Sequence, residues 1–158
     1  MKGDPAIIGL LNQLLAVELT AVHQYMLHAR MCENWGYERL FKKIHEEWHE
    51  EAEHADHLVE RILYLEGEPN VGQAQAITPG GSVEEQFRAD LALETGAVSA
   101  LNRGVELCRK NGDNGTAELL EHLLTDTEEH AHWLEKQLTA IRQMGLPHYL
   151  AEQLKAST

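Results

Sequence analysis

The chain has 158 residues, 26 of them acidic against 13 basic, for a net charge of −13. That length suits one domain that buries its core without disulfides or an obligatory structural metal. The charge repels phosphate backbones, which excludes a coat for nucleic acid and points to cations as partners.

The two cysteines, Cys32 and Cys108, lack C-x-x-C spacing and are too few for a disulfide framework, so a reducing compartment is the simpler setting. The opening MKGDPAIIGLLNQ has no apolar signal core with a small-residue cleavage site, and no later run is read as approaching a membrane span. The expectation is a soluble, cytoplasmic protein with no membrane partner.

In chain order, the first predicted helix covers roughly 4–34, opened by Asp4 before Pro5 and closed by NWG at 34–36. The second covers about 38–65 and runs into the breaker-rich EGEPNVGQAQAITPGGS at 66–82. Ser82, with Glu85 three residues on, forms a capping-box pattern for a third helix over about 83–111. NGDNG separates it from a fourth at about 116–144, and after Gly145 a short fifth begins at Pro147 and runs to about 156. The fold class is therefore all-α, in one domain spanning 1–158.

Each long segment carries a seam at seven-residue spacing: Leu11/Glu18/Tyr25, Ile44/Glu51/Leu58/Leu65, Phe87/Glu94/Leu101/Cys108 and Leu120/Thr127/Leu134/Ile141. Three seams hold a glutamate flanked by core-type residues; the fourth holds a threonine. Glu18 and Glu51 are 33 residues apart, as are Glu94 and Thr127, and adding 76 to 18, 51 and 54 gives 94, 127 and 130. The chain thus reads as two similar helical hairpins, the first with a Glu and then E-x-x-H, the second with a Glu and then T-x-x-H. Seventeen connecting residues reach about 55 Å when extended, and a 28-residue helix is about 42 Å long. The connection can therefore cross a four-helix bundle from end to end.

A glutamate facing an apolar interior costs several kcal/mol when ionised unless a cation or hydrogen-bond partner compensates. No lysine or arginine occupies these seams, and His54 and His130 follow residues 51 and 127 by three. Carboxylates with imidazoles and no thiolate suit iron, manganese or zinc better than calcium. One Glu from each of two helices with E-x-x-H from the others is the ligand pattern of di-iron carboxylate bundles. Tyr25, one heptad after Glu18, is placed to hydrogen-bond a ligand or a bound oxygen species, or simply to pack.

The segments MKGDPAIIGLLNQLLAVELTAVHQYMLHARM, NWG, EEAEHAD, ERILYLEGEPN, DLALE, EEHAHWLE and QMGLPHYL resemble bacterioferritin over nearly the whole chain. The resemblance implies a ferritin-like four-helix bundle with one long crossover and a short fifth helix, assembled into a 24-subunit hollow cage that stores ferric mineral. It implies oxidation of Fe(II) by dioxygen or peroxide at an intrasubunit di-iron site. Carried over by position, Glu18 and His54 bind one iron, Glu94 and His130 the other, and Glu51 bridges them; Thr127 stands where the family has a second bridging glutamate. An electron-donating ferredoxin for iron release is implied as well.

Two departures follow. The threonine removes one charge and one bridge, so the site is expected to bind iron asymmetrically and oxidise it more slowly. Glu128 and Glu129 point about 100° apart along the helix and do not replace residue 127. Ala52 stands where haem-binding bacterioferritins have methionine, so a cage of this chain alone is expected to lack haem b unless a methionine-bearing second subunit type supplies an axial ligand. Met26, Met31 and Met144 read as packing.

In HEEWHEEAEHADH at 45–57, Glu47, Glu53, Asp56 and His57 read as solvated surface. The resemblance puts Glu46 and Glu50, with His49, on the cage cavity as candidates for iron transfer or mineral seeding. Trp35 and Trp133 are expected to pack at helix ends or contacts, Cys108 to act as a small core residue, and Cys32 to lack a neighbouring base. The main alternative is a structural or nucleating subunit of a mixed cage whose partner supplies oxidation or the haem ligand. A small di-iron redox enzyme has no support beyond the ligand pattern, and the acidic balance and fifth helix disfavour a DNA-protecting mini-ferritin.

Overall fold

A computed structural model describes residues 1–155. Five helices follow one another: α1 Pro5–Asn34, α2 Glu38–Tyr64, α3 Val83–Lys110, α4 Asn114–Met144 and α5 Leu146–Gln153, with no strand among the described residues. The four long helices and the short last one give the all-α architecture expected from the seams.

The helix starts are set by short polar side chains. Asp4 Oδ1 accepts from the Ala6 N–H at 2.7 Å with Pro5 in the first turn, and Ser82 Oγ accepts from the Glu85 N–H at 3.2 Å. The Glu85 carboxylate reaches back to the Gly81 N–H at 2.7 Å, closing a capping box displaced by one residue. The fourth helix begins at Asn114 rather than 116, because Asp113 accepts from the Thr116 N–H at 3.0 Å and Gly112, at φ 74°, ends the turn after α3. Helix α5 begins at Leu146 after Gly145 and stops at Gln153, shorter than the expected helix to 156, with Leu154 in a turn and Lys155 in a bend; residue 156 lies outside the described residues.

Helix α1 packs chiefly on α2, and α3 on α4, so the two expected hairpins form, with α1 also lying against α3. The 65–82 crossover runs along α1 in the same direction, tied by a polar stripe on that helix. Asn12 Nδ2 donates to the Glu68 carbonyl at 3.1 Å, and the Asn70, Gln75 and Thr78 N–H groups donate to Asn12, Thr20 and Gln24 at 2.7, 2.8 and 3.0 Å. Gln24 Nε2 also donates to Asp90 Oδ1 at 2.8 Å, and His28 Nδ1 lies 2.8 Å from the same oxygen. An extended strap without its own secondary structure thereby finds partners for its backbone.

By length and composition α1 would pass for a membrane span, with an 18-residue window of mean hydropathy 1.6, contrary to the expectation from its sequence. Its inward apolar residues are instead core, 44% of that window being buried. Leu11, Leu14 and Leu15 join Leu58, Ile62, Leu101, Leu120 and Leu123 in one cluster, while Tyr25 and Ala29 join Ile44, Phe87, Leu134 and Ile141 in a second. The glutamates of the seams fall between the two clusters, at mid-bundle.

Candidate metal centre

Heptad placement turns Glu18 of α1, Glu51 of α2, Glu94 of α3 and Thr127 of α4 inward at one level, and all four are buried, as are His54 and His130. His54 Nδ1 lies 3.4 Å from Glu51 Oε2 and 3.6 Å from Glu18 Oε2. His130 Nδ1 lies 3.1 Å from Glu94 Oε1. The Tyr25 hydroxyl donates to that same Glu94 oxygen, and its ring meets His130 edge-on at 5.2 Å between centroids. All six residues singled out in the sequence, Glu18, Tyr25, Glu51, His54, Glu94 and His130, are therefore brought together.

Two further carboxylates belong to the cluster. Glu47, read from the sequence as solvated surface, is only 5% exposed, and its Oε2 lies 3.5 Å from His130 Nδ1. It sits four residues before Glu51, hence one turn along the same inward face of α2. Asp126 places Oδ2 2.9 Å from His54 Nε2. A carboxylate there fixes the proton on Nε2 and leaves the Nδ1 lone pair for the interior, the arrangement that supports metal-binding imidazoles. The i,i+4 relation of Glu47 to Glu51 was a usable sequence signal; Asp126, next to a seam position, offered none. Glu53, Asp56 and His57 are exposed as expected, and so are Glu128 and Glu129.

Thr127 contributes little toward the centre, since its hydroxyl donates to the Leu123 carbonyl of its own helix at 2.7 Å. The buried polar atoms without a hydrogen-bond partner include His54 Nδ1, His130 Nδ1 and Glu47 Oε2. Three orphaned atoms of this kind in one layer are costly in a helical core, and a cation at their meeting point satisfies them together. Glu18, Glu51 and His54 offer atoms within 4.8 Å of one another, and so do Glu47, Glu51 and His130. Glu51 belongs to both groups, which is the position of a residue shared by two ions. The donor set fits two divalent transition ions.

Charge crowding shows in the protonation of these groups. Burial and then the Glu18 charge push Glu51 up to about 8, and burial and then the Glu51 charge push Glu94 up to about 7. Burial alone would lower both histidines, but the close carboxylates of Glu18 and Glu51 raise His54 to about 11, and that of Glu94 chiefly raises His130 to about 9. Burial and then the Glu94 charge hold the Tyr25 phenol well above its ordinary value, so it stays a donor. Without a cation, protons neutralise the layer.

The centre opens on one side to a depression of about 520 Å³ whose lining includes Lys43, Glu46, Glu50, Asp126, Glu129 and His130. Glu46 and His49, which also line it, are exposed, and Glu50 is half-buried. Ala52 is exposed on α2 and offers no donor atom to a haem iron, Met31 Sδ accepts from Gln86 Nε2 at 3.5 Å within the subunit, and Met26 and Met144 lie exposed on other helices. Haem does not fit this chain's own residues at that position.

Residues 8–144 match the family model described as a ferritin-like domain. The chain is 45% identical to the "Bacterial ferritin" of Pseudomonas aeruginosa over 98% of its own length and all of that protein's. It is 42% identical to the "Bacterioferritin" of Mycobacterium leprae, covering 96% of each chain. It is also 42% identical to the "Bacterial ferritin" of a Synechocystis strain, over 98% of this chain and 99% of the relative. Together with the helical bundle and its inward carboxylates, these similarities establish that the chain belongs to the bacterioferritin family of ferritin-like proteins.

Proposed function

We propose that the chain is an iron-storage subunit that oxidises Fe(II) at a dinuclear site inside its own bundle. The observation that carries this reading is the pair of unpartnered imidazole nitrogens, on His54 and His130, facing carboxylates of which Glu51 belongs to both groups. Glu18 and His54 hold one Fe(II), Glu94 and His130 the other, and Glu51 spans them. Iron here is substrate. Each Fe(II) gives up one electron, and dioxygen or peroxide takes the pair with two protons. Clustered carboxylates in a shielded layer stabilise the more highly charged Fe(III) over Fe(II), which favours the electron loss. Tyr25 orients Glu94 by its hydrogen bond.

Cage assembly into a 24-mer, a cytoplasmic setting and a ferredoxin as electron donor for release belong to the same reading by family membership. Glu46, Glu50 and His49, on the acidic depression, receive or seed the ferric product. Haem b enters only through a second subunit type bearing methionine at the place of Ala52. Thr127, lacking charge and committed to the Leu123 carbonyl, makes oxidation slower than a site with glutamate there.

The test is rapid mixing of protein carrying two Fe(II) per subunit with oxidant, following ferric absorbance. Wild type is expected to outpace His54→Ala, and Thr127→Glu to outpace wild type. A wild-type rate no higher than that of His54→Ala overturns the oxidase reading; equal rates for wild type and Thr127→Glu remove the role given to the threonine. A second reading, a structural or nucleating subunit of a mixed cage, is favoured by the back-bonded threonine and by Ala52. Mass spectrometry of the native assembly decides it, since a shell of one active subunit type dismisses that reading.

A further inference from the structure

Two residues at the centre remain unaccounted for by the five ligands above. Residue 127 has no carboxylate, and Glu47 has one without an assigned task. Glu47 is buried in a layer already crowded with negative charge. Its Oε1 lies 2.7 Å from Lys43 Nζ, an i,i+4 pair at the mouth of the depression, while its Oε2 is unpartnered and lies 3.5 Å from His130 Nδ1. A structural ion pair with Lys43 alone does not explain why the second oxygen is directed at a buried imidazole nitrogen rather than at solvent.

Direction along the bundle makes this placement a consequence of the fold. His54 meets Asp126 and Glu47 meets His130, so residue numbers rise along α2 as they fall along α4, and the two helices are antiparallel at the centre. Glu47 lies four residues before Glu51, and His130 three after Thr127; both are displaced about one turn toward the same end of the bundle. A carboxylate at 47 therefore comes to the His130 side of the centre from α2, where a carboxylate at 127 would come from α4. Glu47, Glu51 and His130 form a buried group within 4.8 Å that leaves residue 127 out altogether.

Resting on the dinuclear reading above, we propose that Glu47 is the sixth protein ligand of the centre and completes the His130 half-site with the negative charge that Thr127 lacks. Lys43 is its positioning residue: the ammonium holds one oxygen at the mouth and leaves the other directed inward. The two half-sites then have a carboxylate and an imidazole each, Glu18 with His54 and Glu94 with His130. They share Glu51, and Glu47 serves the second half-site alone. The centre is asymmetric because one ligand has moved between helices, not because one is missing.

Cobalt(II), titrated anaerobically into the metal-stripped, assembled protein, reads this without turnover, through ligand-field absorption and calorimetry. Wild type is expected to bind two tight equivalents per subunit. Glu47→Gln, nearly isosteric, is expected to keep the His54-side equivalent and to weaken the other by about tenfold or more, the loss that even outer partners of a metal ligand produce. The double variant Glu47→Gln/Thr127→Glu is expected to regain two tight equivalents, which also shows that Gln at 47 has not disrupted the fold. Glu53→Gln, on the same depression but exposed, is expected to match wild type. Two equivalents of unchanged affinity in Glu47→Gln overturn the role of Glu47 and leave the dinuclear reading standing. Absence of tight cobalt from wild type overturns that reading itself.

Discussion

Glu51→Gln should make the metal-free subunit more stable. Glu51 is 3% exposed, and burial first, then the Glu18 charge, push its carboxyl from 4.5 up to about 8. Between those two values the folded chain holds a proton that the unfolded chain has released, so stability falls as pH rises through the window. At pH 7 the cost is about 1.4 kcal/mol for each pH unit above the ordinary value, or about 3 kcal/mol in all. Glutamine keeps the shape and removes the cost. The figure is a ceiling, because His54 loses one of its three nearby carboxylates and keeps Glu18 and Asp126. For a domain of this size it corresponds to a rise in melting temperature of up to about 6–12 °C. The assay is thermal unfolding of chelator-stripped protein by circular dichroism, at fixed subunit concentration because assembly contributes to the apparent stability. The gap should shrink toward pH 5, and saturating zinc should reverse the order, since only wild type keeps the shared ligand. A variant no more stable than wild type at pH 7, or an equal gap at pH 5 and pH 7, would refute the reasoning.

Two further outcomes probe the scaffold. Asp113 caps α4 and accepts from Arg61 Nη2 at 3.1 Å; burial acts to raise its carboxyl, but the Thr116 bonds and the Arg61 guanidinium hold it below its ordinary value. Asp113→Ala should lower stability by about 1–2 kcal/mol at neutral pH in urea unfolding, and the difference should fade as acid carries the wild-type carboxylate through its depressed folded value, below about pH 4. Asp90→Ala leaves buried His28 and Gln24 without their shared partner, which should cost about 3–5 kcal/mol. Because Gln24 and His28 also bind the strap at Thr78, limited proteolysis should then cut within 66–82 sooner than in wild type.

The helix starts were legible because Asp4 and Ser82 precede apolar repeats with the chemistry a cap needs, and the hairpin pairing was legible in the offset that relates Glu18 to Glu94 and His54 to His130. The start of α4 was misplaced by two residues, since NGDNG reads as uniform breaker until Asp113 is seen to accept from Thr116. The polar stripe of Asn12, Thr20, Gln24 and His28 carries no motif that marks it in the sequence. Its partner is an extended strap whose backbone carries no side-chain period, so nothing in the pattern showed that the stripe would be covered.

Glu47 is the sharper lesson. In HEEWHEEAEHADH nearly every angle around the helix offers a carboxylate or an imidazole, so composition cannot separate the inward face from the outward one. The face is nonetheless determined once Glu51 is known to point inward. Residues 47, 51, 54 and 58 follow at four, three and four, the spacing of one helical stripe, and Glu47, Glu51, His54 and Leu58 are all buried. The loss of charge at Thr127 and the burial of charge at Glu47 are then two sides of one electrostatic requirement. A pair of dications held by two imidazoles needs several carboxylates within reach, and the bundle can recruit one from α2 as readily as from α4 because both helices border the same interior. If that is correct, restoring Glu at 127 with Glu47 intact crowds one more anion into the layer. Metal-stripped Thr127→Glu should therefore unfold at a lower temperature than wild type at pH 7, even as it oxidises iron faster; a higher melting temperature for the stripped variant would show that the layer still had room for charge.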